Sequence, residues 1–303
     1  MLNDINQKLK AILPEENIVR NEPLAKHTTF KIGGPAEYFV TPENEDQLKL
    51  VIKVCKESNI PYYIIGKGSN LLVGDKGYKG VIIQIYKNFD LIKIDKNIVT
   101  AGAGVMLSRL ATQAAEHNLA GLQGECGIPG TLGGAVTMNA GAYGYEIKDY
   151  IISATVLNQE GEIFTLNKEE LQLAYRTSII QKNSYIVIEA VFELPYGNKE
   201  DILAEIAEFN RKRVEKQPLE YPSAGSTFKR PVGYFAGKLI MDSGLAGYRV
   251  GDIMISMKHC GFVINVGNGT ASEVRQLIED VQHIVYEKHQ VMLEPEVRII
   301  GEF

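Results

Sequence analysis

Between Gly121 and Gly144 the chain reads GLQGECGIPGTLGGAVTMNAGAYG, eight glycines among mostly small, uncharged residues. Glycine loses more backbone entropy on folding than any other residue, so a third of a segment in glycine needs a reason. No Ser, Pro or Gln bias marks a flexible linker, and Ile128, Leu132, Val136 and Met138 fall at intervals suited to a packed core. The composition predicts backbone brought very close to something flat or anionic. A second such place lies upstream, where the apolar run Tyr62-Tyr63-Ile64-Ile65 empties into Gly66-Lys67-Gly68-Ser69-Asn70. Two loops of backbone donors, each after an apolar strand, predict a large phosphate-bearing cofactor held mainly by main-chain N–H groups.

The remaining chain sets the frame for that cofactor. At 303 residues there is room for two or three domains. An apolar fraction of 45% and a charged fraction of 23% are those of a soluble globular protein. No stretch approaches the roughly 18 uninterrupted apolar residues of a membrane span. The N-terminal MLNDINQKLKAILPEEN mixes acids with lysines and lacks an apolar core with a small-residue cleavage site, so it does not read as a signal peptide. Cys55, Cys126 and Cys260 are far apart and odd in number. They form no metal spacing and no disulfide set, which predicts a cytoplasmic protein without a bound metal. A net charge of −5 argues against nucleic acid as the main partner and leaves anionic small molecules to local basic clusters. Neither a membrane nor an obligate protein partner is indicated.

Asn44-Glu45-Asp46-Gln47 reads as a capping box, with Leu48, Val51, Ile52 and Cys55 on one helical face. Pro61 predicts an end to that helix near Asn59. The strand Tyr62–Ile65 follows, then strands through Gly80–Tyr86 and Leu91–Ala101, and a helix over about 107–118 with Leu110, Ala111, Ala114 and Ala115 inward. Further strands are expected near Tyr150–Asn158, Glu162–Leu166 and Tyr185–Leu194. The character changes around Gly197–Lys199. Asp201–Lys216 reads as a helix with Ile202, Leu203, Ile206 and Phe209 inside, broken by Gln217-Pro218. Thr270-Ala271-Ser272-Glu273 is a second capping box, heading a long helix with Val274, Leu277, Ile278, Val281, Ile284 and Val285 on one side. Strands and helices mix without regular βαβ alternation, so the fold class is α+β.

The loop Gly66-Lys67-Gly68-Ser69-Asn70-Leu71 is not a Rossmann fingerprint, which needs a third glycine where Leu71 sits and a helix opening from the loop. Its two glycines also suit a tight turn; Ser69 and Asn70 add donors that suit a pyrophosphate. In Pro23–Gly34, Gly33 and Gly34 suggest a bulge or edge, and His27, with no carboxylate or cysteine near it in sequence, reads as a structural histidine. Ser226, in Ser223-Ala224-Gly225-Ser226-Thr227-Phe228-Lys229-Arg230-Pro231, lacks a nearby histidine and the Gly-x-Ser-x-Gly elbow, so on residues alone it reads as a turn former. Arg176, in Ala174-Tyr175-Arg176-Thr177-Ser178, reads as a surface ion-pair partner. Glu296 lies in the strand-like run Leu293–Gly301 between apolar neighbours, which predicts partial burial, and a buried carboxyl tends to stay protonated.

Together Pro23–Gly34, Gly66–Leu72, Gly124–Gly144, Ala174–Ser178, Gln217–Pro231, Ala236–Gly247, Ser256–Asn265 and Leu293–Gly301 resemble, in order and spacing, the UDP-N-acetylenolpyruvoylglucosamine reductases, flavoenzymes of bacterial cell-wall precursor synthesis. The resemblance implies an FAD-binding region in two parts, 1–85 and 86–198, of the vanillyl-alcohol-oxidase type. It implies an α+β substrate-binding domain over 199–303, with the last strand, about 292–303, packing back on the FAD region. It also implies NADPH as hydride donor and UDP-N-acetylglucosamine enolpyruvate as substrate. Some relatives of that fold attach flavin through a His or Cys near the phosphate loop; Ile65–Leu71 offers neither, so FAD would be non-covalent.

Carried onto this chain, the family's roles make Ser226 the proton donor and Arg176 with Glu296 the pair that polarises the substrate carboxylate. Gly66, Lys67, Gly68, Ser69, Asn70 and Leu71 resemble one side of the cofactor cradle. Gly127, Ile128, Pro129, Gly130, Gly133, Gly134, Asn139, Ala140 and Gly141 resemble the other. The implied reaction sends hydride from flavin N5 to C3 of the enolpyruvyl ether and a proton from Ser226 to C2, with Lys229 placed to ease the transient alkoxide. Lys229, Arg230 and Arg213 are expected to contact the substrate, and Lys258 and His259 are further phosphate candidates. Arg230 stands where the serine motif otherwise reads Asn. The Tyr-bearing loop of a longer subtype, after the strand matching Tyr185–Leu194, is replaced here by Pro195–Lys199, so the chain resembles the short subtype. Two rivals share the glycine loops: an FAD-linked oxidase of the same fold, which would consume oxygen without NADPH, and a non-catalytic nucleotide-binding module, which would purify colourless.

Overall fold

Asn44 caps the helix Glu45–Glu57, its side chain accepting from the Gln47 N–H at 3.0 Å, while the Gln47 side chain accepts from Glu43 N–H at 2.8 Å. The cap is therefore not fully reciprocal: the returning amide engages the residue before Asn44. Leu48, Val51, Ile52, Val54 and Cys55 are buried, each large aliphatic among them contributing about 1.5–3 kcal/mol. Asn59, at φ 50°, turns the chain out of the helix and into the strand Tyr62–Ile65. The structure, a computed structural model, describes residues 2–303, and its contacts divide the chain into two units.

The first unit comprises Met1–Arg20, Tyr38–Lys67 and Gly80–Lys212. One sheet takes the order Ile18–Pro23, Pro35–Val40, Tyr78–Gln84, Tyr62–Ile65, the last pair parallel with Tyr62 opposite Val81. A five-stranded antiparallel sheet takes the order Ile163–Asn167, Ile151–Leu157, Ile186–Glu193, Ile98–Gly102, Ile92–Asp95. The strand expected over Leu91–Ala101 is thus a hairpin, turned at Lys96 with φ 55°. The helix Leu107–Glu116 buries Leu110, Ala111, Ala114 and Ala115 as expected. In the helix Lys199–Lys216, Ile202 and Ile206 are buried, whereas Leu203 and Phe209 are only half-buried.

The second unit comprises Asn21–Glu37, Gly68–Lys79 and Arg213–Phe303. Its antiparallel sheet runs Ser223–Ser226, Phe262–Asn265, Ile253–Ile255, Arg249–Val250. The helix Ala271–His289 begins in the expected reciprocal capping box of Thr270 and Glu273. Asp75 reinforces that start by accepting from the Ala271 and Ser272 N–H groups at 2.7 and 2.9 Å, which, against the effect of burial, holds its carboxyl below the usual range. Val274, Leu277, Ile278, Val281 and Val285 face a core with Phe30, Leu72 and Ile240. The strand Arg298–Ile300 lies parallel to Leu71–Val73. The fold is α+β.

Candidate active site

In the first unit, the glycine-rich segment is fixed by its own backbone. Leu132 N–H donates to Val105 O and Gly133 N–H to Ala103 O, both at 2.8 Å, and Leu107 N–H reaches back to Gly130 O at 3.1 Å. Glycine disfavours helix, yet Leu132–Thr137 is helical because these contacts and the buried Leu132, Ala135 and Val136 impose it. Several glycines answer to packing: a Cβ at Gly124 would stand 2.3 Å from Ala142 O, and one at Gly141 2.3 Å from Tyr145 O. Gly134 is different. A Cβ there would meet nothing within 4 Å, so packing within the protein does not require glycine at that position.

Asn139 is fully buried, at φ 46°. Its side-chain NH2 donates to Glu146 Oε2 at 2.9 Å and Ala174 O at 3.1 Å, and its side-chain oxygen accepts from Lys148 N–H at 2.9 Å. The amide is fully engaged inside the protein, so Asn139 shapes the segment and offers a ligand no side-chain donor. Arg176 has φ 55°, a conformation that costs a non-glycine residue about 1–3 kcal/mol. The turn is enforced by reciprocal bonds between Ala174 and Thr177, and Ser178 Oγ donates to Thr137 O at 2.6 Å. The guanidinium donates to Asn139 O and Gly141 O at 3.4 and 3.3 Å and lies 5.1 Å from the Tyr175 ring centre. It is a cation seated on the glycine-rich segment by carbonyls.

The loop Gly66–Asn70, expected to hold phosphate, starts in this unit. A Cβ on Gly66 would come 2.1 Å from Thr131 Oγ1, so only glycine lets the loop lie against the glycine-rich segment. Gln84 holds the Gly66 carbonyl at 3.1 Å, and Lys67 Nζ sits 5.3 Å over the Tyr86 ring. A cavity of about 420 Å³ in the same unit is lined by Glu43, Asp46, Asn88, Phe89, Thr100 and Glu189. It holds none of the candidate residues, and its acidic wall is unsuited to a pyrophosphate.

Sequence reasoning missed one buried group here. Glu125 is 1% exposed, and neither carboxylate oxygen has a hydrogen-bond partner. Burial pushes its carboxyl up to about 8, with Asp149 and Glu146 adding to the effect. Close by in sequence, Gln123 donates to Glu205 at 2.9 Å, and Tyr145 OH donates to the same carboxylate at 3.0 Å. Burial and that carboxylate push the Tyr145 phenol up to about 12.

In the second unit, Gly68 continues the loop at φ +63°, where a Cβ would be 2.1 Å from His27 O. His27 bonds Glu22 at 3.0 Å, so the carboxylate judged absent from its surroundings lies five residues upstream. The structural role of His27 stands. Asn70 donates to Glu296 O at 3.1 Å and accepts from Arg298 N–H at 3.0 Å, so Gly68–Leu71 is stitched to the stretch that carries Glu296.

Ser226 ends its strand, paired with Phe262, and is exposed. The next residues run antiparallel to Glu294–Glu296. Glu296 N–H donates to Thr227 O at 2.7 Å, Phe228 bridges Pro295, and Lys229 N–H donates to Glu294 O at 2.8 Å. The half-buried Glu296 thus lies on a stretch hydrogen-bonded to the residue after Ser226. Lys229, expected to ease a Ser226 alkoxide, is ion-paired with Glu294. Arg230 lies 3.9 Å from the Phe235 ring centre, and Arg213 is half-buried near the end of its helix. Lys258 Nζ donates to Val214 O at 2.7 Å and faces Glu220 at 3.8 Å. Among the described residues no cluster of His, Cys, Asp or Glu is placed to hold a metal, and no helix is long and apolar enough to cross a membrane.

Comparison with known proteins adds independent findings. A family model described as the C-terminal domain of UDP-N-acetylenolpyruvoylglucosamine reductase matches residues 217–300, and one described as an FAD binding domain matches 36–167. The UDP-N-acetylenolpyruvoylglucosamine reductase of Lachnoclostridium phytofermentans is 58% identical over 100% of this chain and 99% of its own length. That of Agathobacter rectalis is 53% identical over 96% of both. The crystal structure of the Thermus caldophilus UDP-N-acetylenolpyruvylglucosamine reductase aligns with a TM-score of 0.79 at 37% identity, over 93% of this chain and 97% of that one. p-Cresol methylhydroxylase, at 18% identity and a TM-score of 0.50 over 65% of this chain and 44% of its own, shares the fold.

Proposed function

The chain belongs to the UDP-N-acetylenolpyruvoylglucosamine reductase family, and we propose on that basis that it reduces UDP-N-acetylglucosamine enolpyruvate to UDP-N-acetylmuramate, using FAD and NADPH, in the cytoplasmic phase of peptidoglycan precursor synthesis. In this reading residues 1–85 and 86–198 serve the cofactor and 199–303 the UDP-sugar. Gly66–Leu71 would hold the FAD pyrophosphate without a covalent link, and Gly127–Gly130, Gly133, Gly134, Ala140 and Gly141 would lie along the rest of the cofactor. That a Cβ on Gly134 would meet nothing within 4 Å supports this reading. Bound FAD supplies the hydride, drawn from NADPH and delivered to C3 of the enolpyruvyl group.

The protein's part is to manage the negative charge that then develops at C2 and spreads into the carboxylate. Arg176, already strained into place, offers a fixed positive charge, and Glu296 in its neutral form offers a hydrogen bond, so both act most strongly as the charge appears. Neutrality matters for Glu296, because only the protonated carboxyl can donate. Ser226 then gives its hydroxyl proton to C2. A serine hydroxyl is a weak acid, but a carbanion-like centre is basic enough to take its proton. Since Lys229 is neutralised by Glu294, the resulting alkoxide is left to solvent and to the substrate's own surroundings. Arg230 and Arg213 are the remaining cations assigned to the phosphates, and successive use of one anion-binding site by NADPH and substrate fits ping-pong turnover.

The observation that supports this reading is the hydrogen bond from Glu296 N–H to Thr227 O, which sets the stretch carrying Glu296 beside the residues that follow Ser226 within one unit. Anaerobic stopped flow tests it. NADPH should bleach the flavin, and the enolpyruvyl substrate should restore its colour without oxygen. A flavin re-oxidised by oxygen alone refutes the reading in favour of an oxidase.

A further inference from the structure

Ser226 leaves its sheet beside a tight turn, His259–Phe262, whose histidine the sequence offers only as one of several phosphate candidates. Thr227 N–H donates to Gly261 O at 2.9 Å, and Phe262 is the strand partner of Ser226, so the turn and the serine share one end of the sheet. The turn closes through Phe262 N–H to His259 O at 2.9 Å and is braced by Ser256 Oγ, which accepts from the Lys258 and His259 N–H groups. Gly261 N–H donates to His259 Nδ1 at 3.1 Å. A backbone N–H can only donate, so Nδ1 must carry a lone pair, and the ring proton of the neutral imidazole sits on Nε2.

The ring is also held in place. Its edge packs on Phe262 with centroids 5.0 Å apart, and its Cε1 lies 3.0 Å from where a Gly261 Cβ would stand and 3.5 Å from a Gly237 Cβ. Among the described residues nothing accepts from Nε2. Burial holds the imidazole below the usual histidine range, which favours the neutral ring. By contrast the neighbouring cations are engaged: Lys229 with Glu294, Lys258 with Val214 O and Glu220, Arg230 on the Phe235 face.

We propose that His259 is a diphosphate-binding residue, donating Nε2–H to a phosphate oxygen of the ligand whose other end reaches Ser226. A neutral donor of fixed direction orients an anion without trapping it as a second full charge would, which suits a site that must release one diphosphate ligand before taking the next. The inference rests on the reductase reading above. The diphosphate belongs to the UDP-sugar or to NADPH, and the two are separable by experiment.

The test compares wild type with His259→Ala and His259→Gln in the FAD-loaded enzyme. UDP and uridine are titrated calorimetrically, and NADPH saturation is read from flavin bleaching. Loss of one hydrogen bond to a charged oxygen predicts about tenfold weaker UDP binding in His259→Ala with uridine unchanged, KM raised and kcat nearly kept, and recovery in His259→Gln, whose amide also donates. The same loss confined to NADPH supports the donor and assigns it to the dinucleotide. Equal losses for UDP and uridine with NADPH saturation unaltered, or no loss in any arm, overturn the proposal. Because His259→Ala also removes the acceptor of the Gly261 N–H within the turn, 15N NMR of the wild-type histidines gives a second readout. Nδ1 should show the unprotonated shift, and Nε2 should move on adding UDP or NADPH; a protonated Nδ1 overturns the proposal without any variant. Wild-type enzyme that binds neither UDP nor NADPH would sink the reductase reading itself, whereas failure of the variants alone sinks only the role of His259.

Discussion

Replacing Glu125 with Gln should remove a pH-dependent instability from the protein. The unfolded chain ionises this carboxyl above about 4.5, while burial keeps it protonated in the fold up to about 8. Between those values the folded state holds the extra proton, so stability falls as pH rises, by about 1.4 kcal/mol per pH unit. The loss starts near the lower value and is complete above the higher one, and at pH 7 it amounts to about 3 kcal/mol. Gln keeps the shape, stays neutral at every pH and so lacks the slope. Urea unfolding of both proteins at one saturating FAD concentration, from pH 5 to pH 8, measures the difference. The two stabilities should nearly coincide at pH 5 and diverge steadily above it, the variant becoming the more stable. A gap that does not change with pH would mean that the fold already accommodates the carboxylate, and the argument from its unpartnered burial would fail.

Other expectations concern the chemistry. Ser226→Ala should keep FAD binding and flavin bleaching by NADPH while re-oxidation by the enolpyruvyl substrate slows by several orders of magnitude; normal turnover would end the proton-donor assignment. Glu296→Gln should lose less activity than Glu296→Ala, since an amide still donates, and equal losses in steady-state rates would count against the neutral acid. Gly68→Ala puts a methyl group against His27 O in a conformation that disfavours any side chain, so FAD affinity, followed by flavin fluorescence, should drop at least about tenfold. Unchanged affinity would remove the loop from the cofactor site.

Elements with local signals were legible in the sequence. The box at Thr270 and Glu273 and the apolar face of Glu45–Glu57 are set by spacings of three and four residues, and the fold keeps them. The helix Leu132–Thr137 was not legible, because its two glycines argue against helix and only the contacts to Ala103 and Val105 impose it. Glu296 and Arg176 showed little by themselves: one depends on a strand partner about seventy residues away, the other on a strained turn, and neither relation leaves a periodic trace. The family resemblance supplied what periodicity could not. His27 is the opposite case, since its carboxylate partner, Glu22, lies only five residues upstream in the sequence. Glu125 has no periodic or motif signal, and only its burial makes it consequential.

The pairing of Leu71–Val73 with Arg298–Ile300 bears on how the protein comes into being. Asn70 and its partner Glu296 are 226 residues apart, so on a ribosome adding about 5–20 residues per second the loop that ends in Asn70 waits roughly 11–45 s for its brace. If that loop holds the cofactor as proposed, flavin capture belongs to the late stage of biosynthesis. A nascent chain stalled before its final strand should have the glycines of the loop but lack the support that gives them their shape.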